Sequence, residues 1–141
     1  MTEEIKSLSQ LIKQSQCIVF FGGAGVSTES QIPDFRSDDG LYGDKQAKRY
    51  PYPPETMLSH SFFEQHTKEF FEYYFDKMVY PDAKPNPAHI ALAKLEQMGK
   101  LSAVITQNID GLHQMAGSRR VCELHGSVHR NFCMNCGKKY N

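Results

Sequence analysis

Ile5, Leu8, Leu11 and Ile12 recur every three or four positions near the start of the chain, the spacing of one helix face. The pattern predicts an amphipathic helix over residues 3–14, with Glu3 and Glu4 at its positive N-terminal end. The period then changes. Cys17 to Phe21 is a continuous apolar run closing on Gly22-Gly23-Ala24-Gly25, which predicts a fully buried strand of a parallel sheet entering a tight loop. From Pro33 to Pro54 the chain is dense in Gly, Pro, Asp and Tyr without a sustained period, so a long loop is expected there. Phe62, Phe63, His66, Phe70, Phe71, Tyr74, Phe75 and Met78 restore helical spacing. They predict one helix from Ser61 to Tyr80 whose aromatic face packs a core rather than touching a cofactor.

Asn86 as N-cap, Pro87 at the first helical position and Gly99 just past the end bracket a further helix, with Ala91, Leu95 and Met98 on one side. Leu101 to Thr106 reads as an apolar strand, and Gln107-Asn108-Ile109-Asp110-Gly111 as a polar loop at its C-terminal end. Strand, helix and strand therefore alternate, which predicts an α/β fold with a doubly wound, Rossmann-like parallel sheet. No internal repeat or low-complexity segment interrupts it.

Composition narrows the function classes. Sixteen Lys and Arg balance sixteen Asp and Glu, so no net field draws the chain to nucleic acid or to anionic lipid, and direct nucleic-acid binding is not expected. The longest strongly apolar run, Ile18 to Phe21, is far below the roughly 20 residues that cross a bilayer, so no membrane span is expected. The start, Met1-Thr2-Glu3-Glu4-Ile5, is acidic where an export signal is basic, and a cytoplasmic location follows. In a reducing compartment the four cysteines are read as thiols rather than disulfides. Cys17 and Cys122, in apolar strand-like segments, are expected to be buried. Cys133-x-x-Cys136 is expected to bind metal, as about half of a tetrahedral zinc site. His125-x3-His129-x3-Cys133-x2-Cys136 is a local alternative set of four ligands.

Glycines after a buried strand let the backbone approach a pyrophosphate. Gly23-Ala24-Gly25-Val26-Ser27-Thr28 has Thr where the dinucleotide fingerprint has its last Gly, and a tight turn without a ligand accounts for it almost as well. The longer string from Gly23 to Ser37, containing Ile32-Pro33-Asp34-Phe35-Arg36, resembles the signature of the sirtuin family. So do Thr106 to His113, Glu123-Leu124-His125-Gly126 and Cys133-x-x-Cys136, in that order. The similarity runs from about Cys17 to the end and is weakest from Asp38 to Asn86. One departure is Gln31, where the family usually has Gly; if that position has positive φ, Gln31 strains the loop by about 1 kcal/mol or more.

The resemblance, to bacterial-type sirtuins, implies an NAD-dependent protein-lysine deacylase, most simply a deacetylase. Its layout would be Rossmann-like segments at 1–37 and 86–128, a cofactor loop and helical insertion at about 38–85, and the start of a small zinc-binding module at about 129–141. It implies NAD contacts from Gly23, Ala24, Gly25, Thr28, Asp34, Phe35, Arg36, Gln107, Asn108, Ile109, Asp110 and His125. His125 is the implied general base; an imidazole with a pKa near 6.5 takes a proton from a ribose hydroxyl at neutral pH. The acyl-lysine amide oxygen attacks the ribose carbon as nicotinamide leaves, and water finally releases lysine and O-acyl-ADP-ribose. Zinc would be structural, held by Cys133 and Cys136 with two ligands from a second Cys-x-x-Cys that the family carries farther along. The sequence ends at Asn141 before that pair, so C-terminal truncation, exposed apolar sheet surface and poor activity of the fragment alone are expected. Relatives that favour acidic acyl groups carry Tyr-x-x-Arg near the aromatic helix, whereas Tyr74 is followed here by Lys77, which points to acetyl-lysine proteins or peptides. Protein ADP-ribosylation and a noncatalytic NAD- or zinc-binding module are the alternatives.

Overall fold

The computed structural model describes residues 2–38, 40–42 and 49–140. Part of the expected loop and insertion, and the terminal Met1 and Asn141, lie outside the described residues. Three parallel strands form the main sheet in the order β1 (Ile18–Gly22), β2 (Leu101–Thr106), β3 (Val121–Glu123). The register aligns Gly22 with Thr106 and Thr106 with Glu123. Backbone bonds from Gln107 N–H to the Gly22 carbonyl and from Leu124 N–H to the Thr106 carbonyl, both 2.9 Å, carry the ladder one step further. The three segments that leave these strands therefore emerge side by side along one sheet edge, where open α/β folds collect ligands.

Helix α1 (Glu3–Gln14) forms as expected, and its C-terminal carbonyls at Ile12, Lys13 and Ser15 accept from the Lys100 ammonium at 3.0, 2.8 and 3.2 Å. Helices α2 (Pro54–Met57), α3 (His60–Gln65) and α4 (Thr67–Lys77) make the insertion, around a core of Met57, Phe62 and Tyr73. The single helix expected from Ser61 to Tyr80 is thus two, broken at His66 with φ −134° and ψ 50°. His66 N–H closes α3 on the Phe62 carbonyl, the Thr67 hydroxyl takes the Phe63 carbonyl at 2.8 Å, and the His66 ring stacks on Phe62 at 4.8 Å. Side-chain bonds thus supply what the interrupted ladder gives up.

Helix α5 (Pro87–Gln97) begins at the predicted cap and packs on β2, while Gly99 takes the left-handed φ of 73° that ends it. Its buried face is not the expected one. Ala91 and Met98 are exposed, and His89 and Ala93 face inward. The cause is the cap itself: His89 Nδ1 accepts from Asn86 N–H and the ring meets His113 edge-on at 4.7 Å, which turns that side of the helix to the sheet. Helix α6 (Leu112–Met115) follows β2, and strands β4 (Asn131–Phe132) and β5 (Lys139–Tyr140) form a small antiparallel hairpin around Cys133 and Cys136.

The strand expected to be fully buried is covered on one side only. Val19 and Phe21 are 54% and 61% exposed, as are Ile5, Leu8 and Leu11 of α1 to more than half. Cys17 and Cys122 are exposed, against expectation; Cys122 lies in β3, while Cys17 precedes β1 with its Sγ 3.1 Å from Ser102 Oγ. The exposed apolar sheet surface itself agrees with the sequence reading. Among the described residues no helix is long and apolar enough to cross a membrane.

Candidate active site

A Cβ at Gly22 would sit 2.4 Å from the Phe20 ring, so a larger residue here would displace that ring. The loop leaving it passes through Gly23 into a 3-10 helix, Ala24–Ser30, rather than an α-helix. Gln31 ends this helix in the left-handed conformation, φ 65° and ψ 22°, so the strain expected at this position is present. Ser27 is completely buried and donates to Asp110 Oδ2 at 2.7 Å. Asn108 Nδ2 donates to Ser27 Oγ at 2.9 Å and to Asp110 Oδ2 at 3.2 Å, and Asp110 Oδ1 accepts from Leu112 N–H at 2.9 Å. Asp110 thereby ties the glycine loop, the polar loop and the start of α6 to one carboxylate.

The segment after β3 closes over the polar loop. His125 Nδ1 is 2.9 Å from the Gln107 carbonyl, Val128 N–H bonds the Ile109 carbonyl at 3.0 Å, and His129 Nε2 is 3.0 Å from the Asp110 carbonyl. A carbonyl only accepts, so Nδ1 of His125 carries a hydrogen, and in the neutral ring the lone pair is then on Nε2. Across the cleft, Asp34 Oδ1 accepts from the Ser37 hydroxyl and N–H at 2.6 and 2.9 Å, which holds its carboxyl below the usual range. Leu41 and Tyr42 N–H bond back to the Asp34 and Phe35 carbonyls, and Phe35 meets the Tyr42 ring at 5.4 Å.

These segments enclose a cleft of about 760 Å³. Gly23, Ala24, Gly25, Asp34, Phe35, Arg36, Gln107, Asn108, Ile109, Asp110 and His125 all line it. A Cβ on Gly25 would meet nothing within 4 Å, so this stretch of backbone faces open space that a ligand can approach closely. Thr28 is not in the lining; its hydroxyl turns back to the Gly25 carbonyl at 3.0 Å. Sequence reasoning missed Ser27, whose position inside the glycine string was the available signal. It also missed Phe70 and Met78, which line the cleft beside Tyr74 and Lys77, the pair read from the sequence for acyl preference, so that face does more than pack a core. Burial pushes the Tyr74 hydroxyl pKa up.

A second hollow, about 390 Å³, lies on the insertion and shares no lining residue with the cleft. There Tyr50 donates to Asp76 at 2.7 Å, and burial with that carboxylate pushes its pKa up to about 12. Cys133 and Cys136 stand apart from the cleft. Backbone N–H groups of Cys136 and Asn135 hold the Cys133 thiol below its usual pKa, which favours the metal-binding thiolate. Among the described residues no group of three or more His, Cys, Asp or Glu could hold a metal, which leaves the His125, His129, Cys133, Cys136 set unassembled.

A model described as the Sir2 family matches residues 23–141. An NAD-dependent protein deacetylase of Clostridium acetobutylicum is 60% identical over 141 residues, covering 100% of this chain and 57% of the relative. One from Clostridium tetani is 65% identical over 136 residues, covering 96% and 54%. A solved structure described as Sir2-p53 peptide-NAD+ superposes with a TM-score of 0.80 at 43% identity, covering 100% of this chain and 52% of that one. Another, Sir2 bound to acetylated peptide, gives 0.80 at 41%, covering 99% and 52%. The chain spans about half the length of the curated relatives it matches.

Proposed function

The chain belongs to the Sir2 family, and on that premise we propose that the complete protein removes acyl groups, acetyl foremost, from protein lysines at the expense of NAD. The observation that carries this reading is the meeting of the glycine loop, the Asn108 and Asp110 loop and His125 in one cleft at the C-terminal ends of the parallel strands. The relatives' names speak of NAD-dependent protein deacetylases, and solved Sir2 structures carry acetylated peptide and NAD.

The donor set fits a dinucleotide. Open backbone at Gly25 suits a pyrophosphate, and the exposed Arg36 guanidinium offers paired donors to a phosphate. With its amide N–H groups on Ser27 and Asp110, Asn108 keeps its Oδ1 to accept, and the Asp110 carboxylate can accept an amide N–H. Phe35 supplies a flat apolar wall that keeps water from a reactive sugar carbon. Bound NAD would supply the ribose–nicotinamide bond whose cleavage lets the ribose carbon accept the acyl-lysine oxygen. His125 Nε2 would take the proton from a ribose hydroxyl, its ring held by the Gln107 carbonyl. Acyl-lysine, NAD and water then balance as lysine, nicotinamide and O-acyl-ADP-ribose.

Cys133 and Cys136 would hold a structural zinc with two further thiolates from outside these residues; such a metal staples the hairpin and takes no part in the reaction. Tyr74 and Lys77, both in the cleft lining, give no Arg for an acidic acyl chain, which supports acetyl as the substrate. A cytoplasmic setting with protein or peptide partners, and neither nucleic acid nor membrane, completes the proposal. Mass spectrometry of an acetyl-lysine peptide incubated with NAD and the complete protein tests it. Loss of acetyl with formation of O-acetyl-ADP-ribose is expected, whereas an unchanged peptide, or one that gains ADP-ribose, contradicts it.

A further inference from the structure

Asn86 makes more hydrogen bonds than a helix cap needs. It is 6% exposed, and its Oδ1 accepts from Ala88 and His89 N–H at 3.0 and 3.4 Å, which is the capping half. Its Nδ2 points the other way. It donates 2.7 Å to the Val26 carbonyl and 3.1 Å to Ser30 Oγ, inside the 3-10 helix some sixty residues earlier in the chain. Ser and Asp cap helices as well as Asn does, but an Asp carboxylate has no N–H to give and a Ser hydroxyl stops short of where Nδ2 lies.

The Val26 carbonyl belongs to the same planar peptide unit as the Ser27 nitrogen. A bond that pins this carbonyl therefore pins the plane from which Ser27 sets out, and the Ser27 hydroxyl is the one that meets Asp110 Oδ2 at 2.7 Å and Asn108 Nδ2 at 2.9 Å. His89, wholly buried, locks the base of the device, because its Nδ1 accepts from Asn86 N–H. We propose that Asn86 is a positioning residue for the cofactor loop: it couples the start of α5 to the Val26–Ser27 peptide and so sets the Ser27–Asp110 contact at the floor of the cleft. This rests on the reading of that cleft as the NAD site.

The complete protein carrying N86S or N86D tests it, since both keep a capping oxygen and lose the amide donor; N86S adds no charge and serves if N86D does not fold. A93G, in the same helix but outside the cleft, controls for lost helix stability. Asn86 variants are expected to raise the KM for NAD roughly tenfold, the scale of one lost hydrogen bond, and to leave the KM for acyl-peptide within about twofold. A93G should leave both values within about twofold of the unsubstituted protein. An N86S protein with an unchanged KM for NAD, or an A93G protein with the same rise, would overturn the inference. Failure of the unsubstituted protein to bind NAD would instead bring down the reading of the cleft, and this inference with it.

Discussion

The carbonyl oxygen of Gln107 lies 2.9 Å from Nδ1 of His125, and that single contact decides which ring nitrogen can act as a base. With Nδ1 bound as donor, the lone pair sits on Nε2, in a ring that lines the cleft. His125→Ala should therefore lower kcat for deacetylation by roughly 10²- to 10⁴-fold, the usual scale of a general base. NAD affinity by calorimetry should stay within about threefold, because the ring does not build the glycine loop. Equal losses of turnover and of affinity would assign His125 to binding instead.

Asp110 accepts from Ser27, Asn108 and Leu112 at once. Asp110→Ala should cost about 1–3 kcal/mol of stability through the donors it leaves unsatisfied, read by urea unfolding, and should also weaken NAD binding. A variant as stable as the parent would mean that water replaces the carboxylate without loss.

Two buried imidazoles predict acid sensitivity. Burial, with the neighbouring His89 ring, lowers the His113 pKa to about 4, partly opposed by Asp110 and Glu123; His89 is lowered as well. His89 Nε2 and both His113 ring nitrogens have no hydrogen-bond partner among the described residues. The unfolded chain binds protons near pH 6.5 and the folded one does not, so stability is full above that value and is lost as pH falls towards 4. From pH 7 to pH 5, His113 alone should remove about 2 kcal/mol of unfolding free energy. His113→Phe should flatten this slope, and an identical slope in both proteins would refute the assignment.

Gln31 occupies left-handed backbone at φ 65° without being glycine. Gln31→Gly should raise stability by about 1 kcal/mol as that strain is relieved. A fall in melting temperature would show that the added freedom of the unfolded chain outweighs it.

Much of this architecture was legible in local chemistry. The Asn86-Pro87 start and Gly99 stop of α5 are short-range signals, and the glycine string after an apolar run marked the end of β1. What escaped depends on side-chain contacts that residue spacing does not record, some local and some distant in sequence. The break at His66 leaves the aromatic period intact, so spacing could not reveal it; side-chain bonds from Thr67 and the Phe62 ring make it. The buried face of α5 follows His89 rather than the aliphatic positions, because His113 of α6 meets the His89 ring edge-on at 4.7 Å. Burial of Cys122 turns on what lies over β3, which a strand's own residues do not record, and the apolar run at Cys17 extends one residue ahead of the strand it marks.

In the site, eleven of the twelve residues expected around NAD line one cleft, Thr28 being the exception. The motifs mark strand ends, and parallel register brings strand ends together. Ser27, Phe70 and Met78 were invisible because the first is a small residue inside a string read for its glycines and the others repeat like any amphipathic helix.

Isothermal titration of NAD into the complete protein tests the central claim most directly. Saturable one-site binding, weakened by Asp110→Ala and preserved in His125→Ala, is the predicted result. The absence of any binding heat, or binding indifferent to Asp110→Ala, would contradict it.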